Sequence, residues 1–125
     1  MKYMADRWPY NLFDKQGNYI TNPNYRAIIR LHEMLETAGI PHTFVPMMDG
    51  WQIAYPVDRH DIRCVMDAVE HHGSYGHEAD LIEIMGLLTP EEQEWDSVVG
   101  HLTAQEVFDR IRAHWMTVQG KEVRG

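Results

Sequence analysis

Between Asn22 and Pro41, apolar residues fall at Ile28, Leu31, Leu35 and Ala38, three or four positions apart, while Arg26, Arg30, Glu33 and Glu36 lie mostly elsewhere. That spacing predicts an amphipathic helix laid on a core. Asn22 is placed to cap it, Pro23 suits the first helical position, and Gly39 followed by Pro41 stops it. The period then changes. In "HTFVPMMDGWQIAYPV", Phe44, Val45, Trp51, Ile53 and Tyr55 supply β-prone residues on either side of Asp49-Gly50. This pair predicts a two-residue hairpin turn, because glycine accepts a positive φ. Pro46 and Pro56 each lack a ladder donor, so both strands are expected to be irregular or to lie at an edge.

The next run, "DIRCVMDAVEHH", fits two templates. Ile62, Val65, Met66 and Val69 have helical spacing, whereas Cys64, Met66 and Ala68 alternate. Its shortness and the glycine turn after it favour a third strand. "DLIEIMGLL" reads as a further short strand or a single helical turn. Thr89 and Pro90 then open a short helix with acids at its positive end. The last element, "LTAQEVFDRIRAHWMTV", starts on the capping box Thr103-x-x-Glu106, with Leu102 placed to staple the first turn. Its apolar stripe runs through Ala104, Val107, Phe108, Ile111, Trp115 and Val118.

These elements predict an α+β domain over residues 23–119, with a small antiparallel sheet of three to four strands. An N-terminal and a C-terminal amphipathic helix pack on one face of that sheet. Residues 1–22 read as an N-terminal arm. In it, "LFDKQGNYI" could form a small hairpin around Lys15-Gln16-Gly17-Asn18. Residues 120–125 read as a C-terminal tail.

Charge narrows the choice of partner. The chain has 125 residues and a net charge of −8, and the imbalance is local. From Cys64 to Asp109 there is no Lys or Arg but there are eleven acids. A surface built from that half repels phosphate backbones, so a nucleic-acid partner is not expected. No stretch approaches the roughly 20 apolar residues of a membrane span, and no membrane partner is expected. The lone Cys64 cannot form an internal disulfide, and the N-terminus lacks a signal-peptide run; both fit a cytoplasmic protein.

Three runs, "LHEMLETAGIPHTF", "GSYGHEADLIEIMGLL" and "VVGHLTAQEVFDRIRAHW", resemble short proteins of unknown function encoded in bacteriophages and prophages. The resemblance covers about residues 28–115. It implies a phage accessory gene and brings no functional residues with it.

The densest candidate chemistry is "EHHGSYGHEADLIEIMG", residues 70–86, with three His, several acids and a Gly-x-x-Gly turn. A metal reading takes His71, His77 and Asp80 as ligands of zinc or another divalent ion, with His101 or His60 completing the set. Against it, the spacing matches no helical His-Glu-x-x-His pattern, and in an extended segment His71 and His72 point to opposite faces. The preferred reading is structural. Gly73 and Gly76 supply unusual backbone angles, Tyr75 packs its ring, and the histidines sit on the surface or satisfy loop carbonyls. A small-ligand site beside the turn would use Tyr75, His77 and Glu78, with Arg63 folded back over it. Cys64 lies in an apolar run and reads as inert. Met47, Met48, Met66 and Met85 read as core filler, and Trp8, Trp51, Trp95 and Trp115 as core or subunit-contact residues.

No catalytic motif is complete, and no catalytic residue is assigned. The expectation is a small acidic, non-enzymatic binding module without a cofactor, for a basic protein or a small molecule. The alternative is a divalent-metal-dependent hydrolase built on the His71–Asp80 region. A homodimer in which the N-terminal arm crosses to the partner is the third reading.

Overall fold

The computed structural model describes residues 13–124. The hairpin expected in the arm appears there as a single antiparallel bridge, Phe13 to Tyr19, with the two rings 4.6 Å apart. Asp14 Oδ1 accepts the backbone N–H groups of Gln16 and Asn18 inside that turn. The rest of the arm, residues 1–12 with Trp8, lies outside the described residues.

In chain order the elements are α1 (Ala27–Ala38), β1 (Thr43–Met47), β2 (Gly50–Tyr55), β3 (Met66–Glu70), β4 (Ile82–Met85), α2 (Pro90–Trp95), β5 (Val98–Leu102) and α3 (Ala104–Arg124). The strands pair in sequence order, each antiparallel to the next. The α+β class and the antiparallel sheet are as expected, but the sheet has five strands rather than three to four. The fifth, "VVGHL", is short and carries a glycine. It pairs with β4 through a register shift between Ile82 and Ile84, so it shows little alternation.

One row of side chains crosses the sheet: Phe44, Ile53, Ala68, Ile84 and Val99 are partners in successive strand pairs. Ile53, Ala68 and Ile84 are fully buried. Ile28, Leu31 and Leu35 of α1 and Val107 and Ile111 of α3 cover them and are equally buried. Each such side chain contributes roughly 1.5–3 kcal/mol by leaving water. Ala38, predicted to belong to the stripe of α1, is exposed. It occupies the last turn, just before Gly39 (φ 71°) ends the helix, and the next core residue is Ile40. The opposite face of the sheet carries Val45, Gln52, Val69, Glu83 and Met85, and among the described residues no helix lies over it. Val45 and Met85 are substantially exposed there.

Segment ends show what the pattern could and could not define. The capping box of α3 forms as predicted: Glu106 N–H donates to Thr103 Oγ1 (3.1 Å) and Thr103 N–H to Glu106 Oε1 (2.8 Å). Thr89 and Glu92 make the same pair on α2, and Glu92 also receives two 2.8 Å hydrogen bonds from Arg110. That guanidinium holds the Glu92 carboxyl down to about 2. The start of α1 differs. Asn22 Oδ1 accepts Asn24 N–H in a local turn, and the helix begins only at Ala27. The hairpin turn is shifted by one residue: Met47 pairs with Gly50, so Met48 (φ 54°) and Asp49 make the turn. α3 continues through residues 120–124, the segment assigned to a tail.

Candidate functional site

The glycine bend after β3 is built as a backbone device and fastened to its neighbours. Ser74, buried, takes the His71 N–H on Oγ (3.1 Å) and returns its hydroxyl to the His71 carbonyl (2.9 Å). Gly76 adopts φ +101°, and a Cβ there would meet the backbone of His101 at 2.9 Å. Gly73 is different from the expectation. It has no left-handed φ, and an added Cβ would press on the His71 ring at 3.3 Å. Tyr75 donates its N–H to Glu83 Oε1 (2.9 Å) and accepts His101 N–H on its carbonyl (3.2 Å), so the bend is tied to both β4 and β5.

The histidines are not loop bystanders. His72 donates both its backbone N–H (3.0 Å) and its ring Nδ1–H (2.9 Å) to Oδ1 of Asp49, a fully buried carboxylate in the β1–β2 turn. His77 Nδ1 meets the hydroxyl of buried Tyr25 at 3.4 Å. Asp80 Oδ1 accepts the N–H groups of Arg26 and Ala27, each at 2.9 Å, and Glu70 Oε1 accepts that of Ile28 at 3.1 Å. Two carboxyls, one from each side of the bend, therefore satisfy the first free amides of α1 by hydrogen bonding. This replaces the Asn22 cap expected from local sequence.

Electrostatics in this layer follow from burial. Glu70 is fully buried; among the described residues its Oε2 has no hydrogen bond of normal geometry, and the Asp80 carboxyl is its polar neighbour. Desolvation, then the neighbouring Asp80 carboxyl, push its pKa up to about 9, so it is protonated at neutral pH. Burial raises the Tyr25 hydroxyl, and Asp49 adds to the effect. Burial also lowers the His71 imidazole, with His72 beside it as the next cause.

The structure does not bring the proposed metal ligands together. Asp80 is engaged on α1, His77 on Tyr25, and His71 Nδ1 accepts the Gly73 N–H at 3.0 Å. The proposed small-ligand residues are also dispersed. Arg63 is held by two hydrogen bonds to Asp61, within the loop between β2 and β3. Tyr75 is 56% exposed, and Glu78 projects outward beside His77. Two surface grooves divide the region. One of about 610 Å³ includes Asp80 with Arg26 and Arg30; one of about 530 Å³ includes His71 with Asp67, Glu83 and Met85. Cys64 is part-buried with its thiol pushed up by desolvation, which matches the inert reading.

Two features escaped the sequence reading. Of the tryptophans, Trp51 and Trp115 pack against the core as expected, but Trp95 is 87% exposed at the end of α2. Met48 and Met85 likewise lie at the surface rather than in the core. The second feature is a contact between His32, on α1, and His42, in the loop before β1. The helical i, i+4 pair His32 and Glu36 could have pointed to it.

Comparison with protein-family profiles, curated proteins and solved structures finds no match to this chain. Among the described residues, no helix is long and apolar enough to cross a membrane.

Proposed function

We propose that this chain is a small acidic binding module without catalytic activity, that its partner is a basic protein segment, and that it serves as a phage or prophage accessory protein. The observation that carries the reading is Trp95. An 87% exposed indole on a six-residue helix makes no contribution to the core. Beside it lie the exposed acids Glu91, Glu94 and Asp96, in a half of the chain without Lys or Arg up to Arg110. An exposed indole on an acidic segment suits a lysine or arginine side chain, which gains both charge pairing and a cation–π contact. Exposed tryptophans are also the residue type that most often dominates binding energy.

The test is affinity capture from host extract with the full chain and with Trp95→Ala, at low and at raised salt. The expected result is a basic protein retained by the parent chain, released by salt, and weakened by roughly tenfold or more in Trp95→Ala. Because the indole is solvent-exposed, the variant keeps the parent thermal stability. If the parent retains nothing that Trp95→Ala loses, the reading fails.

A further inference from the structure

We propose that His32, Glu36 and His42 form a binding site for a zinc-type divalent cation, with one coordination position left open to solvent. The site lies on α1 and the loop that follows it, apart from the glycine bend and from Trp95. Among the described residues it is the one group of three His, Cys, Asp or Glu side chains whose ligand atoms all lie within 4.8 Å of one another.

Local structure brings these three groups together. His32 and Glu36 are one helical turn apart and share a face of α1. Gly39, in the left-handed region, reverses the chain, and Ile40 anchors in the core, which places His42 back against the helix. His42 is almost wholly buried: its side chain is 2% exposed. Its Nδ1–H donates to the Ile40 carbonyl at 2.8 Å, which fixes the tautomer and leaves the Nε2 lone pair free to act. Such a backbone carbonyl behind the imidazole is how metal-binding histidines are usually oriented. That lone pair faces His32 Nδ1 at 2.9 Å and Glu36 Oε2 at 3.5 Å.

The distances suit an ion. Four ligands about 2.0 Å from a tetrahedral centre sit roughly 3.3 Å from each other. Two of the three separations, both from His42, bracket that value; the third, between His32 and Glu36, is within 4.8 Å, so the exposed Glu36 side chain swings in to complete the set. The His32 ring is held in place by stacking on Phe44, with centroids 4.0 Å apart and planes 7° apart, and Phe44 in turn stacks on Trp51. Two imidazoles are therefore positioned before any ion arrives, while Glu36, 63% exposed, marks the entry side. Two nitrogens and one carboxylate oxygen select a borderline cation such as Zn²⁺ over Mg²⁺ or Ca²⁺, which prefer all-oxygen shells. Without metal, the 2.9 Å contact needs a proton on His32 Nδ1. On metal binding that proton moves to His32 Nε2, so neutral imidazoles release none.

The experiment is a zinc titration of the full chain carrying no affinity tag, read by calorimetry and thermal unfolding. One equivalent is expected to bind and to raise the unfolding temperature. Glu36→Gln and His32→Gln are each expected to weaken binding by roughly tenfold or more. The double variant His71→Gln/His77→Gln is expected to keep the parent affinity, which separates this site from the glycine bend. Glu36 is exposed, so its variant folds even if histidine variants do not. Long-range ¹H–¹⁵N spectra are expected to show zinc shifting His32 Nδ1 and His42 Nε2. No binding up to about 0.1 mM zinc, binding unaffected by Glu36→Gln and His32→Gln, or shifts confined to other histidines would each overturn the assignment.

Discussion

Glu70→Gln is expected to stabilise the protein at neutral pH by roughly 3 kcal/mol and to flatten the dependence of its stability on pH. The carboxyl titrates at 4.5 when solvated and at about 9 in the fold. Between those values the folded chain keeps a proton that the unfolded chain has released. Stability is therefore full below pH 4.5 and falls as pH rises toward 9, by up to about 1.4 kcal/mol per pH unit. Glutamine imitates the protonated acid. Its oxygen still accepts Ile28 N–H, and its amide group can donate toward Asp80. His71 acts in the opposite sense, since an imidazole held neutral loses stability as pH falls below its normal range. It is present in both chains, so the difference between their stability curves isolates Glu70. Urea unfolding of parent and variant from pH 4.5 to 9 measures it. Curves that stay parallel would show that Glu70 is charged or solvated in the fold.

Gly50→Ala is expected to cost about 3 kcal/mol or more, enough to leave much of a marginally stable domain unfolded. Gly50 is the first residue of β2 and pairs with Met47 across the hairpin. A Cβ there would overlap the carbonyl oxygen of Glu70, with further close contacts to backbone of Glu70 and His71. Backbone cannot rotate aside as a side chain can, so β2 and β3 must separate at that end. Gly39→Ala provides the contrast. Nothing lies within 4 Å of its added Cβ, so only the left-handed φ of 71° opposes it, at about 1 kcal/mol. Chemical denaturation of the two variants beside the parent measures both losses. Equal losses would mean that φ strain, not close approach, selects glycine at position 50.

Gly50 also illustrates what was legible in the sequence. Asp49-Gly50 marks a hairpin in the sequence, but local rules put the glycine in the turn rather than at the start of β2. Its requirement comes from a strand sixteen or more residues later, and no local rule contains that. The same division runs through the fold. Most of the stripes of α1 and α3, the cap at Thr89 and the capping box at Thr103 follow from short-range spacing, whereas Met66–Glu70 fits a helical and an alternating template alike and only its shortness and the following glycine turn favour the strand. The start of α1, the fifth strand and the partners of the histidines depend on contacts between distant segments. Asp80 reaches back 54 residues to Arg26, and His72 reaches 23 to Asp49. Composition gave the acidic character of the second half but not that one tryptophan within it stands outside. The His32–His42 contact needed the reversal at Gly39 before two ordinary residues became neighbours.

The distant capping of α1 has a consequence for the order in which this chain is assembled. As the polypeptide emerges from the ribosome, the first helix is complete long before Glu70 and Asp80 exist, and its leading amides must stay hydrated until they do. The helix start can lock only when the third strand and the bend beyond it have been synthesised and have docked. Completing that cap requires closing a loop 54 residues long between Arg26 and Asp80, an entropic cost that a cap drawn from neighbouring residues would not carry.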